Sequence, residues 1–370
     1  MHLESIEIDN FRGITQPSEV KGFNKLTVVV GPNNSGKSTL LESIYLGTVS
    51  PNNPHWTSDN ELVLATDFIL NRRGNLGDQK LISTFNPTKE LTFATKFLNS
   101  KSHLKQFVNK SGNLEIYVSN PDENSLLDNL LNDLDELYDS ESDFIKIFDG
   151  QSLYIYVSKN NFISKKGLDF DNKVHFVDTK ELNETKELNA IFEKFEETYQ
   201  TQKFVKLFSE NTPSLKKLVD FRMRKPFKEN GNQSNEYVVF ATFEDYGHPA
   251  MHLGDGAKKL LQAFSTLQKC KDGICLLEEP EAFQHPKYSR LMIEFFEDAI
   301  YKNNTQVILC THSLEFLDDI LDIFQSSKIA KIDDVTILQT QLEDGKMSAY
   351  EYKGKRAIDV REKLGVDLRG

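Results

Sequence analysis

The chain opens on a short alternation of apolar and polar positions. Leu3, Ile6 and Ile8 stand among polar residues and run into Asn10-Phe11-Arg12-Gly13, which predicts a strand entering a turn. Leu26-Thr27-Val28-Val29-Val30 is a β-branched run that stops at Gly31. Such continuous apolarity over a few residues predicts a strand buried on both faces. A Gly/Asn loop follows, and Ser38-Thr39-Leu40-Leu41-Glu42-Ser43-Ile44 takes up helical spacing.

The middle of the chain follows other patterns. Residues 49–60 are rich in turn formers and predict a loop, with the single Trp56 as a local packing anchor. From about 64 to 120, runs such as Leu91–Thr95 and Leu114–Val118 predict an antiparallel β lobe. Residues 122–149 hold ten acids and one lysine, with leucines at 127, 130, 131, 134 and 137, and predict an acidic amphipathic helix. Two readings of that helix stay open: a solvated face over a packed stripe, or a docking helix for a partner. Strand character returns over 152–178. Residues 180–220 read as helical, with Leu188, Ile191, Phe192, Phe195, Tyr199, Phe204 and Leu207 near one face. No long heptad run and no internal repeat is visible.

After Asn230 strands and helices alternate again. Tyr237–Phe240, Ile274–Leu277 and Gln306–Cys310 read as strands, and Leu260–Leu267 and Tyr288–Tyr301 as helices. Thr336–Leu338 and Tyr350–Tyr352 predict a hairpin that turns at Glu343-Asp344-Gly345. The expected organisation is an α/β head built from 1–70 and 236–370, with a mixed β and helical insertion over 71–235.

Charge and composition narrow the classes. The 370 residues carry 44 Lys plus Arg and 56 Asp plus Glu, a net charge of −12. No apolar run reaches the ~20 residues of a membrane span, so no membrane partner is expected. The N-terminus lacks the pattern of a secretory signal. Cys270, Cys275 and Cys310 have neither a disulfide framework nor metal-site spacing, and read as buried thiols in a reducing, cytoplasmic setting. The overall acidity excludes a wholly basic nucleic-acid binder. Residues 203–228 nevertheless carry eight basic and two acidic side chains, either a local DNA contact or an ordinary cationic surface.

The candidate chemistry lies at the ends of the predicted strands. Gly31-Pro32-Asn33-Asn34-Ser35-Gly36-Lys37-Ser38 matches G-x-x-x-x-G-K-[ST] between a buried strand and a helix. In that setting glycines let backbone N–H groups wrap a phosphate, and the helix adds its positive end. Lys37 would reach the β- and γ-phosphates, and the Ser38 hydroxyl suits Mg²⁺. Ile274-Cys275-Leu276-Leu277-Glu278-Glu279-Pro280-Glu281 is an apolar strand ending in carboxylates. Phosphoryl transfer needs one acid near the metal and one on the attacking water; Glu278 is assigned to the metal and Glu279 to the water. Leu253-Gly254-Asp255-Gly256-Ala257-Lys258-Lys259 opens a helix and reads as an anion site or as a simple helix-start turn. Val307-Ile308-Leu309-Cys310-Thr311-His312-Ser313 ends a strand in a histidine, either a γ-phosphate contact or a rim residue.

Together these segments resemble the ATPase head of the OLD (overcoming lysogenisation defect) and SMC/RecF-like superfamily, a P-loop NTPase of the ABC-ATPase type. Ile8-Asp9-Asn10-Phe11-Arg12 looks like the family's opening strand, GPNNSGKST its Walker A, LGDGAKK its signature, LLEEPEAFQHP its Walker B and D-loop, and CTHS its switch histidine. The resemblance covers about half the chain, the two ends. It implies a homodimer, with higher oligomers open, that holds two ATP molecules and Mg²⁺ head to tail. Each site would take Gly31 to Thr39, Glu278, Glu279 and His312 from one subunit and Gly254, Gly256 and Lys258 from the other, with Arg12 near the nucleotide. The usual signature serine is Gly254 here, followed by Asp255, so closure is expected to be conditional. Gln79 is the candidate Q-loop residue. Full-length OLD proteins continue into a Toprim nuclease domain; about 58 residues follow His312 here, and nuclease activity in this chain is not expected.

Three functions follow. The first is an ATPase subunit that senses or scaffolds for a separate effector, such as a Toprim-type nuclease, in anti-phage defence. The second is a RecF/SMC-like DNA-repair ATPase that binds DNA through 203–228. The third is an ATP-bound structural module without turnover.

Overall fold

The structure is a computed structural model. It describes residues 2–48, 54–56, 62–64, 91–98, 103–110, 113–119, 144–148, 153–157, 161–163, 174–177, 201–211, 215–225, 238–282 and 284–368. In chain order the N-terminal elements are β1 (Leu3–Asp9), β2 (Ser18–Lys21), β3 (Leu26–Val30), helix α1 (Lys37–Thr48), β4 (Pro54–Trp56) and β5 (Leu62–Leu64). Then come β6 (Leu91–Phe97), β7 (His103–Lys110), β8 (Asn113–Ser119), β9 (Phe144–Phe148), β10 (Leu153–Val157), β11 (Asn161–Ile163) and β12 (Val174–Val177). Helix α2 (Thr201–Asn211) precedes β13 (Leu218–Arg224), β14 (Val238–Phe243) and β15 (Gly247–Pro249). The C-terminal part is α3 (Asp255–Lys269), β16 (Ile274–Glu278), α4 (Pro286–Asn303), β17 (Gln306–Cys310), α5 (Leu314–Ser326), β18 (Val335–Glu343), β19 (Lys346–Lys353) and α6 (Gly354–Leu364).

The central sheet has the order β12-β16-β17-β3-β18-β19. β12, β16, β17, β3 and β18 are mutually parallel, and β19 closes the edge antiparallel to β18. All five residues of β3 and of β17 are buried, as a parallel sheet covered on both faces requires. The strand period of two sends alternate residues to opposite layers. Val28, Val30, Cys275, Leu277, Val307 and Leu309 join a core with α3, α4 and α5 residues such as Leu260, Phe264, Phe295 and Phe316. Val29, Leu276, Ile308 and Cys310 join a second core with α1 and the antiparallel sheet, including Ile44, Tyr45, Ile6 and Phe93. That second sheet runs β11-β10-β9-β8-β7-β6-β1-β2. Buried Gln306 stitches the layers together. Its Oε1 accepts from Leu3 N at 2.7 Å, and its Nε2 donates to the carbonyls of Leu3 (3.0 Å) and Asn24 (3.1 Å).

The predicted strands and helices of the two ends are present, including the β18–β19 hairpin with Glu343 opposite Lys346. The class is α/β, a P-loop NTPase fold. Several central expectations differ. Pro54–Trp56 is a short strand inside the expected loop, because it pairs with Leu62–Leu64. Phe144–Phe148 is strand β9 and not the end of an acidic helix; it pairs with β8 and β10. The rest of 122–149 lies outside the described residues. Helix is present at Thr201–Asn211, but the chain is already strand at Leu218, paired with β14; residues 180–200 lie outside the described residues, as does Gln79. Three strands of 71–235 join partners from the ends: β6 pairs with β1, β12 with β16, and β13 with β14. Among the described residues no helix is long and apolar enough to cross a membrane.

Leu276 is fully buried in the middle of β16, facing the α1 layer. Leu276→Ala is expected to cost about 2–5 kcal/mol, the transfer loss plus the cavity left behind, read as a lower urea midpoint at unchanged slope.

Candidate functional site

Parallel pairing brings three strand ends to one edge of the sheet. Glu278 lies opposite Cys310 in the β16–β17 ladder, and Cys310 lies opposite Val29 in the β17–β3 ladder. The loops that leave these strands carry the glycine-rich segment, Glu279 and His312. Ligands of open parallel α/β sheets bind outside the carboxyl ends of the strands.

The loop after β3 is built as an anion cradle. Gly31 has φ +149°, and a Cβ there would stand 2.5 Å from Ser35 Oγ and 2.7 Å from the Thr340 carbonyl. Asn34 (φ 64°) and Gly36 (φ +88°) carry the turn in the left-handed region. Ser35 N donates to the Pro32 carbonyl at 3.2 Å, and Leu40 N to the Gly36 carbonyl at 2.8 Å, which starts α1. The Ser35 hydroxyl lies 3.0 Å from that of Thr340 on β18, and Thr340 donates to the Val30 carbonyl at 3.2 Å. Buried Lys37 donates to the carbonyls of Gly31 (2.8 Å) and Pro32 (2.7 Å). Burial lowers its pKa below the ordinary lysine value, while Cys310 and Glu279 act to raise it. Ser38 and Thr39 lie in the first turn of α1, half-buried beside Lys37, and Asn33 is exposed on the loop.

The two acidic residues leave β16 differently. Glu278 is its last residue, half-buried. Glu279 turns into the left-handed region (φ 43°), a conformation that non-glycine residues adopt at a cost. Its amide donates to the Cys310 carbonyl at 2.9 Å, and its Oε1 lies 3.4 Å from His312 Nε2. Glu279 and His312, 33 positions apart in the sequence, thus form one pair.

Of the other predicted residues, Lys258 and Arg12 are engaged in ion pairs. Gly254 caps α3 and is exposed, with open space where a Cβ would stand. Gly256 lies in the first turn of α3. The Lys258 ammonium pairs with Asp255 Oδ1 at 2.7 Å, which lowers the Asp255 pKa through the hydrogen bond and the charge. The next residue, Lys259, donates to the Ala282 carbonyl at 2.9 Å and ties α3 to the turn beyond Glu279. Arg12 (φ 52°) pairs at 2.9 Å with Glu42, a fully buried carboxylate of α1. In the basic stretch, Lys217 pairs with Glu244 and Asp245 at 3.3 Å, and Arg222 with Asp220 at 2.7 Å.

Sequence reading missed Glu281, Thr311 and Thr340. Thr311 donates its hydroxyl to Glu281 Oε1. Burial raises the Glu281 pKa above its ordinary 4.5; the Thr311 hydroxyl opposes this and the charge of Glu279 adds to it. The available signals were the third acid of E-E-P-E and the hydroxyl before His312.

The oxygen donors at this edge suit a hard cation. Among the described residues no three His, Cys, Asp or Glu side chains form a metal cluster. Mg²⁺ is typically held by one or two protein oxygens together with substrate phosphates and water, which fits Ser38 and Glu278 flanking the cradle.

Fold and cradle define a P-loop ATPase. Residues 26–318 match the family described as "AAA domain, putative AbiEii toxin, Type IV TA system", and the chain belongs to that family. A Helicobacter pylori protein described as an ATP/GTP phosphatase is 24% identical over 348 residues, covering 86% of this chain and 87% of that protein. A Methanocaldococcus jannaschii protein is 31% identical over 118 residues, 32% of this chain and all of that protein. Among solved structures, an Smc head bound to the C-winged helix domain of ScpA superposes with a TM-score of 0.51 at 13% identity, covering 96% of this chain and 100% of that one; that likeness concerns the fold. The protein is an ATPase.

Two outcomes follow from this geometry. Gly31→Ala forces a Cβ against backbone and Ser35, and is expected to weaken binding of a fluorescent ATP analogue by at least about tenfold, roughly 1.4 kcal/mol. Glu281 holds its proton more tightly when folded than when unfolded. Its contribution to stability is therefore full below the unfolded carboxyl pKa and declines as pH rises through the folded one. Glu281→Gln is expected to flatten that decline, read by urea midpoints from pH 4 to 8.

Proposed function

We propose that this ATPase holds MgATP in the Gly31–Thr39 cradle and hydrolyses it with Glu279 as the base. The observation that carries this reading is the Glu279–His312 pair, 3.4 Å apart, at the strand edge that also bears the cradle. Lys37 leaves the Gly31 and Pro32 carbonyls for the β- and γ-phosphates. Ser38 and Glu278 hold Mg²⁺, which when bound neutralises charge on the phosphate oxygens. Glu279 orients the attacking water and takes its proton. His312 donates to the γ-phosphate and keeps the Glu279 carboxylate turned toward it. Arg12 braces α1 beneath the cradle through Glu42.

Two copies close head to tail around two ATP molecules, each offering Gly254, Gly256 and Lys258 to its partner's nucleotide. The exposed α3 N-terminus, with open space at Gly254, supports that role. Closure is conditional because Asp255 already holds Lys258. The dimer, alone or in a higher oligomer, acts in the cytoplasm as sensor or scaffold for a separate effector, with a Toprim-type nuclease the expected kind, in anti-phage defence. The toxin–antitoxin description of the family supports a defence setting.

A second reading, direct DNA binding through 203–228, draws on exposed Lys216 and Arg224 at either end of β13. Two neighbouring cations of that stretch are already paired with acids, so the first reading is preferred.

Glu279→Gln is expected to bind ATP and lose turnover by about 100-fold or more. Light scattering should show its mass doubling with ATP, while Lys37→Ala stays monomeric and inactive. ATP turnover close to wild type in Glu279→Gln would remove the assignment of the base. Duplex binding at low salt that is lost when Lys216 and Arg224 are neutralised would favour the second reading.

A further inference from the structure

Glu281 and Thr311 lie on different loops, and neither belongs to the groups assigned above. Thr311 follows β17 directly and is buried. It is used twice: its hydroxyl donates to Glu281 Oε1 and accepts from Ser313 N at 2.9 Å. Ser313 in turn caps α5, accepting from Phe316 N at 3.1 Å. The turn that carries His312 is therefore fixed at its root to α5 on one side and to Glu281 on the other. Glu281 sits in the turn after Glu279, where Ala282 N donates to the Glu279 carbonyl at 2.9 Å and Gln284 N to the Glu281 carbonyl at 3.0 Å. The two loops are thus tied through Glu279 N to the Cys310 carbonyl, Thr311 to Glu281, the His312 backbone to Glu281, and the His312 ring against Glu279.

We infer that Glu281 is a positioning residue of the ATPase reaction: with Thr311 it clamps the His312 turn to the Glu279 turn and so sets the spacing between Glu279 and His312. The physical basis is leverage at short range. Glu279 is in a left-handed conformation that surrounding structure must hold, and its carboxylate is half-exposed, so it has little packing of its own. The Thr311–Glu281 bond is the buried anchor one residue before His312 and two after Glu279. Small displacements of a catalytic pair are costly to rate, because the reacting geometry must be pre-formed. ATP binding rests mainly on the cradle, which Glu281 does not touch among the described contacts. The clamp therefore acts on turnover more than on nucleotide affinity. An amide oxygen can accept the Thr311 proton as a carboxylate does, so the clamp tolerates glutamine and not alanine.

This inference rests on the assignment of Glu279 and His312, and the test separates the two. Steady-state ATPase kinetics of the full chain are compared for wild type, Glu279→Gln, Glu281→Ala, Glu281→Gln, Thr311→Val, Thr311→Ser and the Glu281→Ala/Thr311→Val double variant. Expected is a kcat drop of roughly tenfold or more in Glu281→Ala and in Thr311→Val, with KM for ATP within about threefold. Glu281→Gln and Thr311→Ser should stay within about threefold of wild type, and the double variant should be no slower than the worse single, the signature of one shared interaction. Glu281→Ala at wild-type kcat, or additive losses in the double variant, overturns the clamp. Equal losses in Glu281→Gln and Glu281→Ala also overturn it, because the charge and not the bond would then matter. If Glu281→Ala does not fold, Thr311→Val against Thr311→Ser decides, since only the hydroxyl distinguishes their reach to Glu281. If Glu279→Gln itself turns over normally, the assignment beneath the clamp fails, a result distinct from any of these.

Discussion

Parallel pairing of β16, β17 and β3 is the constraint on which the rest depends. In a parallel sheet neighbouring strands end on the same side, so residues that follow them emerge together however far apart they are in sequence. Here the ladder sets Glu278 beside Cys310 and Cys310 beside Val29. The cradle, the acidic turn and the histidine turn are consequently neighbours before any side chain is considered. The strands hold this register because every residue of β3 and β17 is buried, and a one-residue slip would exchange the two core layers.

The site needs both layers of that sandwich. One core places α3, α4 and α5, whose N-terminal ends carry Gly254, His285 and Ser313. The other holds α1 against β1 and β6, and Gln306 joins β17 to β1 with two bonds and to Asn24, just before β3, with a third. Arg12 and Glu42 add a buried ion pair between the turn after β1 and the middle of α1. Such pairs contribute little net stability against a well-packed apolar alternative, yet are costly to break on one side. Their effect here is to fix where α1, and therefore Lys37 at its start, stands relative to the antiparallel sheet. Polar ties of this sort do for the cradle what the Thr311–Glu281 bond does for the opposite loop.

The carboxyl edge of the sheet combines groups that oppose one another electrostatically. Burial lowers the Lys37 pKa and raises those of Glu281 and Cys310, the thiol to about 12. A desolvated lysine, a desolvated carboxyl and an inert thiol around one half-exposed carboxylate make a setting of reduced dielectric in which charge on a phosphate is felt strongly. The Asp255–Lys258 pair at the other exposed helix start is different. It is local and one helical turn long, and it joins an exposed Asp255 to a largely buried Lys258.

Contiguous features were legible in the amino-acid sequence alone. The run from Leu26 to Ile44, the carboxylates that end Ile274–Leu277, Thr311-His312 after β17 and the β18–β19 hairpin all depend on neighbours within a few positions. Strand burial, glycine turns and helix starts are local physics, and they determined the α/β class and the ATPase chemistry. The centre was read less well, because β4 and β9 are short strands whose identity comes from their partners and not from their own period. Only the tertiary structure decided that β6 and β12 pair with strands from the ends, that Arg12 faces Glu42 and that Glu281 holds Thr311. The last two pairs each span 30 positions. Their geometry exists only once separate strands have been brought to one edge, and no local pattern encodes a partner that far away.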